Sequence, residues 1–202
     1  ESGISEARLN TYQSQLPEII AKDLAASRSD PSPNQIQDLI RLYDSKRFSE
    51  SLNQVNTYLQ ESPDTFALHN IRGASLAGLK RFDDAIVSYE TALQLRPESA
   101  EVNNNLGVAM KESGDLRGAI SRYEQALELD PNFVEPLSNL AEIHKEMGDT
   151  TEAFRYVISA LKINPKFFEA NVNLGNLLVE DGQYLEAIEK YKIALSSRPN
   201  SK

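Results

Sequence analysis

The sequence predicts an all-α fold, a solenoid of antiparallel helix pairs, and three observations lead to this prediction. Five prolines follow one another at a constant step of 34 residues: Pro63, Pro97, Pro131, Pro165 and Pro199. Small and aromatic residues recur at the same step. Each unit also contains two stretches whose apolar residues return with the period of an α-helix. A fixed step of this length is typical of proteins in which each unit is one supersecondary element stacked on the next.

Four further columns keep this step and place small residues beside an aromatic one. The first column holds glycine in three units and alanine in one: Gly73, Gly107, Ala141 and Gly175. The second holds tyrosine with one exception: Tyr89, Tyr123, Val157 and Tyr191. Two columns are entirely alanine: Ala85, Ala119, Ala153 and Ala187, then Ala92, Ala126, Ala160 and Ala194. We expect the small residues to let the two helices of a unit approach closely, and the tyrosine to fill the space between neighbouring units.

Residues 100–133 illustrate how one unit forms two helices. Leu106, Gly107 and Met110 fall on one face of a first helix, and Gly114 then interrupts the pattern. The apolar face of a second helix follows: Ala119, Ile120, Tyr123, Ala126 and Leu127. Proline cannot continue a helix, so Pro131 ends the unit.

The spacing and the columns resemble the tetratricopeptide repeat, whose pattern is aromatic-x2-Leu-Gly-x2-aromatic, followed by Ala, aromatic, Ala and Pro. The match is strong over residues 66–199, and a degenerate fifth unit precedes it. The predicted array, residues 32–202, has these units: 32–65, 66–99, 100–133, 134–167 and 168–201. The resemblance implies a right-handed superhelix whose concave side is lined by the first helix of each unit. Ser32, Pro33 and Gln35 have the types expected at the N-cap, N1 and N3 positions of the first helix.

The two ends of the chain differ from the repeats. Residues 1–31 form a predicted helical segment and linker, in which Pro17 should kink the helix. Apolar residues recur there at helical spacing: Leu9, Tyr12, Leu16, Ile19, Ile20 and Leu24. Three placements are open: a helix that covers the first unit, a segment that occupies a groove of its own or a neighbouring molecule, or disorder.

Three residues follow Pro199, whereas solenoids usually close with a polar capping helix. The last unit has residues that would pack on a following helix: Tyr191, Ile193, Ala194 and Leu195. We therefore expect either that the chain is a fragment of a longer protein or that this uncapped end associates with another copy.

Charge and composition disfavour several classes of function. The net charge is −9, and an acidic chain is poorly suited to neutralise the phosphates of a nucleic acid. No apolar run approaches the roughly 18 residues of a membrane-spanning helix, so we expect no membrane partner. The chain has no cysteine, which excludes disulfides, thiolate zinc sites and cysteine nucleophiles and fits a cytoplasmic location.

The sequence offers no constellation for catalysis or for metal binding. His69 and His144 have neither a carboxylate nor an imidazole three or four residues away, so each lacks a local metal partner. We interpret both as packing residues. No glycine-rich phosphate loop, nucleophile motif or HExxH motif is present. We predict that the chain is not an enzyme and uses no cofactor and no metal.

The position two residues before the glycine column, here called the ladder position, holds asparagine in three successive units: Asn105, Asn139 and Asn173. Asparagine is a poor helix former, so its recurrence in mid-helix needs a reason. The amide offers a donor and an acceptor and can clamp the backbone of an extended peptide. Alternatively, each amide bonds to the neighbouring helix and fixes the stacking of repeats, and both roles can coexist. The ladder is similar to that in the repeat region of O-linked N-acetylglucosamine transferases, where it holds peptide substrates.

Polar residues around the ladder complete the predicted partner-binding face: Asn104, Lys111, Glu142, Lys145 and Asn176. The two lysines would meet an acidic group of a partner, or else remain solvated and loosely paired with a nearby glutamate. The carboxylate clamp of chaperone-binding family members has a lysine before the ladder position, and none stands there in this sequence. Arg72 occupies a position where three other units have leucine, so we expect it to extend to solvent or to mark a local contact.

The sequence therefore favours a protein-interaction scaffold that binds an extended peptide or helix on the concave face. Two alternatives are open. By family analogy, the array is the amino-terminal recruiting or dimerising module of a larger glycosyltransferase, sulfotransferase or oxygenase. Otherwise the chain self-assembles as a homo-oligomer through its uncapped end or through residues 1–31.

Overall fold

The computed structural model describes residues 31–197, within which the backbone forms ten α-helices and no strand. The helices are α1 (Pro33–Asp44), α2 (Phe48–Glu61), α3 (Phe66–Gly78), α4 (Phe82–Leu95), α5 (Ala100–Ser113), α6 (Leu116–Leu129), α7 (Val134–Glu146), α8 (Thr150–Ile163), α9 (Phe168–Glu180) and α10 (Tyr184–Ser197). One helix pair falls within each predicted 34-residue unit. The prediction of an all-α helical repeat solenoid is confirmed. Residues 1–30 of the predicted segment 1–31, and Pro199 at the end of the last predicted unit, lie outside the described residues.

The chain divides into two compact units, Glu1–Asp115 and Leu116–Lys202. In the first, α3 packs against α1, α2, α4 and α5, and α4 also packs against α5. In the second, α7 packs against α6, α8 and α9, and α9 packs against α8 and α10. Within each compact unit, the first helix of one pair therefore contacts the first helix of the neighbouring pair.

The start of α1 has the predicted cap. The Ser32 side chain accepts a hydrogen bond from the Gln35 backbone N–H at 3.4 Å, and the Gln35 side chain accepts one from the Ser32 backbone N–H at 2.7 Å. Pro33 occupies the first helical turn, where its missing N–H costs nothing. This reciprocal pair of bonds satisfies two donors that a helix start leaves open, and it confirms the predicted cap.

Gly73 and Gly175 each lie against the tyrosine of the same helix pair, which agrees with the predicted close approach of the two helices but not with the placement of the tyrosine only between neighbouring units. A Cβ atom added to Gly73 in α3 would stand 2.6 Å from Cε1 of Tyr89 in α4, closer than van der Waals contact allows. In the second compact unit, a Cβ on Gly175 would stand 2.5 Å from Cε1 of Tyr191. The one repeat with alanine in this column, Ala141, also replaces the tyrosine with the smaller Val157. Both of those residues are buried. The two exceptions to the columns thus occur together, in a single helix pair.

One residue between the two helices of each pair adopts a left-handed conformation, and this position also repeats every 34 residues. Glycine occupies it in the three later pairs: Gly114, Gly148 and Gly182. In the first two pairs the residue is Lys46, with φ of 58°, and Lys80, with φ of 60°. The break predicted at Gly114 is confirmed, with φ of 96°. A residue with a Cβ atom is strained in this region by roughly 1–2 kcal/mol.

Replacing Lys80 with glycine should therefore stabilise the protein by about 1 kcal/mol, since glycine adopts this conformation without the Cβ clash. The free energy of unfolding in urea measures the gain. Lys80→Ala is the matched control, because it removes the same side chain and keeps the Cβ atom. Equal stability of the glycine and alanine variants would contradict the prediction.

Candidate peptide-binding face

The predicted partner-binding residues lie on the first helices of three pairs. In the unit Glu1–Asp115, α5 contains Asn104, Asn105 and Lys111. In the unit Leu116–Lys202, α7 contains Asn139, Glu142 and Lys145, and α9 contains Asn173 and Asn176. Because α7 and α9 pack together, we call these last five residues the α7–α9 face.

Asn173 forms a contact between neighbouring pairs. Its Nδ2 donates to the backbone oxygen of Ser138 and to the Ser138 hydroxyl, both at 3.1 Å. Ser138 lies in α7, one residue before Asn139. These bonds join α9 to α7, which is the stacking role that the sequence left open. Both bonds use the amide nitrogen, so the carbonyl oxygen Oδ1 is the atom of Asn173 that is left to accept from a ligand.

Two other residues of the α7–α9 face contact neighbouring side chains. The Tyr191 hydroxyl donates to Oδ1 of Asn176 at 2.7 Å, which links α10 to α9. Lys145 Nζ lies 3.0 Å from a carboxylate oxygen of Glu180. The Lys145 side chain is 30% exposed and that of Glu180 is 54% exposed, so solvent weakens this pair.

In the first compact unit, several buried amides lack partners. Asn105 is 1% exposed, and its Nδ2 has no hydrogen-bond partner within residues 31–197. Asn70 in α3 is fully buried, and neither of its amide atoms finds a partner in that same range. A buried polar group without a partner costs about 1–3 kcal/mol. These amides therefore have hydrogen-bonding capacity that the described fold does not use.

Asn70 was not among the predicted site residues. The signal that could have found it is the recurrence of asparagine one position before the ladder, at Asn70 and Asn104. Sequence spacing alone does not distinguish a bonded amide from an unbonded one, because that difference depends on the helix packed opposite.

A second missed feature is a column of glutamates at the start of the first helices: Glu101, Glu135 and Glu169. Burial raises the pKa of Glu135 above its usual value, and the neighbouring Glu169 and Asp130 raise it further. The negative potential at this end of α7 and α9 would favour a basic side chain of a ligand.

Other polar side chains have structural contacts. Nε2 of His69 lies 2.7 Å from the backbone oxygen of Pro63, and the ring of His144 stacks on Tyr156 with centroids 5.3 Å apart. Arg72 donates to the side chains of Asn56 and Ser88 at 3.0 and 3.1 Å, so it links α2, α3 and α4. The interpretation of Arg72 as a local contact agrees with these bonds.

The described residues offer neither a metal-binding cluster nor a membrane-spanning helix. Residues 31–197 contain no group of three or more histidine, cysteine, aspartate or glutamate side chains that could hold a metal ion. No helix in the part of the chain that the structure describes is long and apolar enough to cross a membrane.

Comparison with models of known protein families shows to which family this chain belongs. Models of the tetratricopeptide repeat (TPR) match residues 73–114 and 111–148, then 134–167, then 159–189. The chain belongs to the tetratricopeptide repeat family. The resemblance predicted from the proline, glycine, tyrosine and alanine columns is confirmed. The similarity of the ladder to that of the glycosyltransferases stays a prediction. No curated protein matches the sequence of this TPR chain.

Several solved TPR structures share the fold. A thermophilic TPR protein of Thermus thermophilus has a TM-score of 0.70 at 19% identity, covering 83% of this chain and 92% of that one. PilF of Pseudomonas aeruginosa has a TM-score of 0.73 at 17% identity, with 92% and 78% covered. YrrB, described as a TPR protein with an unusual peptide-binding site, has a TM-score of 0.62 at 16% identity, with 93% and 94% covered. At this level of identity, the likeness shows the fold of the TPR chain.

Proposed function

We propose that this TPR chain is a protein-interaction scaffold that binds an extended peptide through amide side chains of its first helices. The observation that carries the proposal is a pair of partly exposed amides on the α7–α9 face: the bonds of Asn173 to Ser138 leave its Oδ1 to accept, and the bond of Asn176 from Tyr191 leaves its Nδ2 to donate. TPR chains are typically non-catalytic binding modules. A related fold, that of YrrB, is described as having a peptide-binding site.

The chemistry of the amide suits a main-chain ligand. An extended peptide presents an N–H donor and a carbonyl acceptor at every residue, and an asparagine side chain can bond to both. Main-chain bonds of this kind give affinity without reading the sequence, while side-chain contacts add specificity. On the α7–α9 face, Lys145 would meet an acidic side chain, and Glu135 with Glu169 would meet a basic one.

The asparagines of the two compact units have different expected roles. Nδ2 of Asn105 is unbonded within residues 31–197, so removing its amide should not destabilise the free protein. Asn173 bonds twice to Ser138, so removing its amide should destabilise the protein by about 1–2 kcal/mol. The ladder position therefore fixes repeat stacking at Asn173, whose Oδ1 is left to a ligand, whereas the Nδ2 donor of Asn105 is buried and has neither role.

We predict that Asn176→Asp weakens peptide binding about tenfold, the worth of one lost hydrogen bond, because it removes the Nδ2 donor. The melting temperature should stay unchanged, because the carboxylate still accepts from the Tyr191 hydroxyl. The measurement starts by selecting binders from a displayed library of short linear peptides and synthesising an enriched one, and isothermal titration then gives its affinity for each variant. The matched control is Asn53→Asp, which adds the same charge at an exposed asparagine of α2 outside the ladder column.

Two results would contradict this proposal. One is a melting temperature that falls by several degrees in Asn176→Asp with peptide affinity unchanged, which would make the amide structural. The other is a library that yields no peptide binding above that of an unrelated helical protein.

A further inference from the structure

The last described helix, α10, has an apolar face that no other described helix covers. Its four residues are Tyr184, Leu185, Ile188 and Leu195, and we call them the α10 face. Their exposures are 63%, 78%, 48% and 62%. At 100° per residue they span about 100° of the helix surface, which is the width of a stripe that normally packs on another helix.

The preceding helix pair shows what this face is shaped to receive. Phe154 and Leu161 of α8 stand one repeat step before Ile188 and Leu195, and both are half-buried. Helix α8 packs against α9, the first helix of the next pair. The α10 face is therefore a helix-packing surface with its partner helix missing from the described residues.

The first helix pair does not supply the complementary surface. On α1 the exposed side chains include Gln37, Asp38 and Arg41, and on α2 they include Asn53 and Thr57. A head-to-tail stack of two copies would bury these polar groups against the apolar α10 face without partners, which is costly. A symmetric contact, in which the same face meets itself, avoids that cost.

The charges of α10 favour a second copy in antiparallel orientation. Glu189 lies just before the middle of the helix and Lys192 lies just after it. An antiparallel pair of α10 helices therefore places each Glu189 near the Lys192 of the other copy. Within one chain, Glu189 and Lys192 lie 3.8 Å apart and are both largely exposed, so they are available to a partner.

The spacing of the apolar residues defines one register. Leu185, Ile188, Lys192 and Leu195 follow one another at steps of three, four and three residues, the spacing of a two-helix seam. Antiparallel pairing about residue 190 sets Leu185 against Leu195 of the second copy. The same register sets Ile188 against the aliphatic stem of Lys192, whose ammonium then reaches Glu189 of the other copy.

We propose that the chain forms a symmetric homodimer through antiparallel pairing of the α10 face with that of a second copy. This interface does not depend on peptide binding by the first helices, because it uses the outer surface of the last described pair. The occupant is a second copy of this chain, and it is recognised by apolar side chains flanked by two symmetry-related Glu189–Lys192 pairs.

Sedimentation equilibrium on the full chain tests the proposal. The unaltered protein should have twice the monomer mass of 22.5 kDa, and Ile188→Glu should reduce the mass to that of a monomer. The matched control is Val87→Glu, which places the same charge at an exposed apolar position of α4, 58% exposed, and should leave the dimer intact. Circular dichroism confirms that each variant is folded.

A charge exchange tests the antiparallel register independently of folding. Glu189→Lys or Lys192→Glu alone should raise the dimer dissociation constant about tenfold, because two symmetric pairs are lost at once. The double variant with both changes in one chain should restore the affinity, since the complementary pairs form again with exchanged signs. A double variant as weak as the singles would overturn the antiparallel register.

Two other outcomes would overturn the proposal as a whole. A monomer at every concentration tested would show that the α10 face does not receive a second copy. A dimer that persists in Ile188→Glu but dissociates in Ile20→Glu would show that copies associate through residues 1–31 instead.

Discussion

Gly73→Ala is expected to destabilise the protein by about 2 kcal/mol, although alanine is the better helix former. In a helix with no neighbour packed at this position, replacing glycine with alanine would stabilise the protein by about 1 kcal/mol. A destabilising effect would therefore show that the clash of the added methyl group outweighs the gain in helix propensity. The new methyl group would lie 2.6–2.9 Å from three ring carbons of Tyr89. Tyr89 is fully buried, so its ring cannot move away without displacing its neighbours.

Urea unfolding of Gly73→Ala, Tyr89→Val and the double variant measures the coupling between the two positions. The pair Ala141 and Val157, present in another repeat of this chain, predicts that the double variant loses less stability than the sum of the two single variants. The coupling should be about 1–2 kcal/mol. Gly114→Ala is the control, because no atom lies within 4 Å of its added Cβ and its cost comes from the backbone conformation alone. Strict additivity of Gly73→Ala and Tyr89→Val would contradict the expectation.

Unfolding at alkaline pH is the second large effect. Burial raises the pKa of Tyr43 and that of Tyr89 above the ordinary value of 10.0, and the charge of a neighbouring acidic group raises each of these pKa values further. Above pH 10 the unfolded chain releases these protons while the folded chain retains them. The folded state then binds more protons, so its stability is complete below pH 10 and falls as the pH rises above it. The slope is about 1.4 kcal/mol per pH unit for each tyrosine.

Urea unfolding between pH 8 and pH 12 tests this expectation, with tyrosinate absorbance recorded in parallel. Tyr89→Phe should lower the alkaline slope by about 1.4 kcal/mol per pH unit, the contribution of one proton. At neutral pH it should cost little, because the Tyr89 hydroxyl is buried and has no hydrogen-bond partner among the described residues. Tyr184→Phe is the control, since this tyrosine is 63% exposed. An unchanged slope in Tyr89→Phe would show that its hydroxyl ionises in the folded state.

The fold could be predicted from sequence because its determinants are local and repeated. The proline step, the alanine columns and the capping residues Ser32, Pro33 and Gln35 each act within one helix pair. The left-handed position was recognised at Gly114 and missed at Lys46 and Lys80, because lysine gives no sign of that conformation. At these two lysines the packing of the rest of the helix pair determines the backbone conformation, and the side chain tolerates it.

The helix that carries each candidate site residue could be predicted from the sequence, but the hydrogen bonds of that residue could not. Asparagine at a constant step identified the helix face, while the separate roles of Asn173 and Asn105 depend on what stands opposite each amide. Asn173 meets Ser138, whose hydroxyl and backbone oxygen both accept its donor. Hydrogen bonds between residues 35 apart in sequence depend on how helices pack, which a single sequence does not specify.

The pairing of Ala141 with Val157, and of Gly73 with Tyr89, has a consequence for how such a chain can change during evolution. The two members of each pair are 16 residues apart and lie on different helices. A recombination between repeats whose breakpoint lies within a helix pair would combine the alanine of one repeat with the tyrosine of another. The methyl group of that alanine would then clash with the tyrosine ring. A recombination that breaks it at the proline between pairs transfers both members together. Whole helix pairs beginning after a proline are therefore the segments that can be duplicated, lost or exchanged without loss of fit.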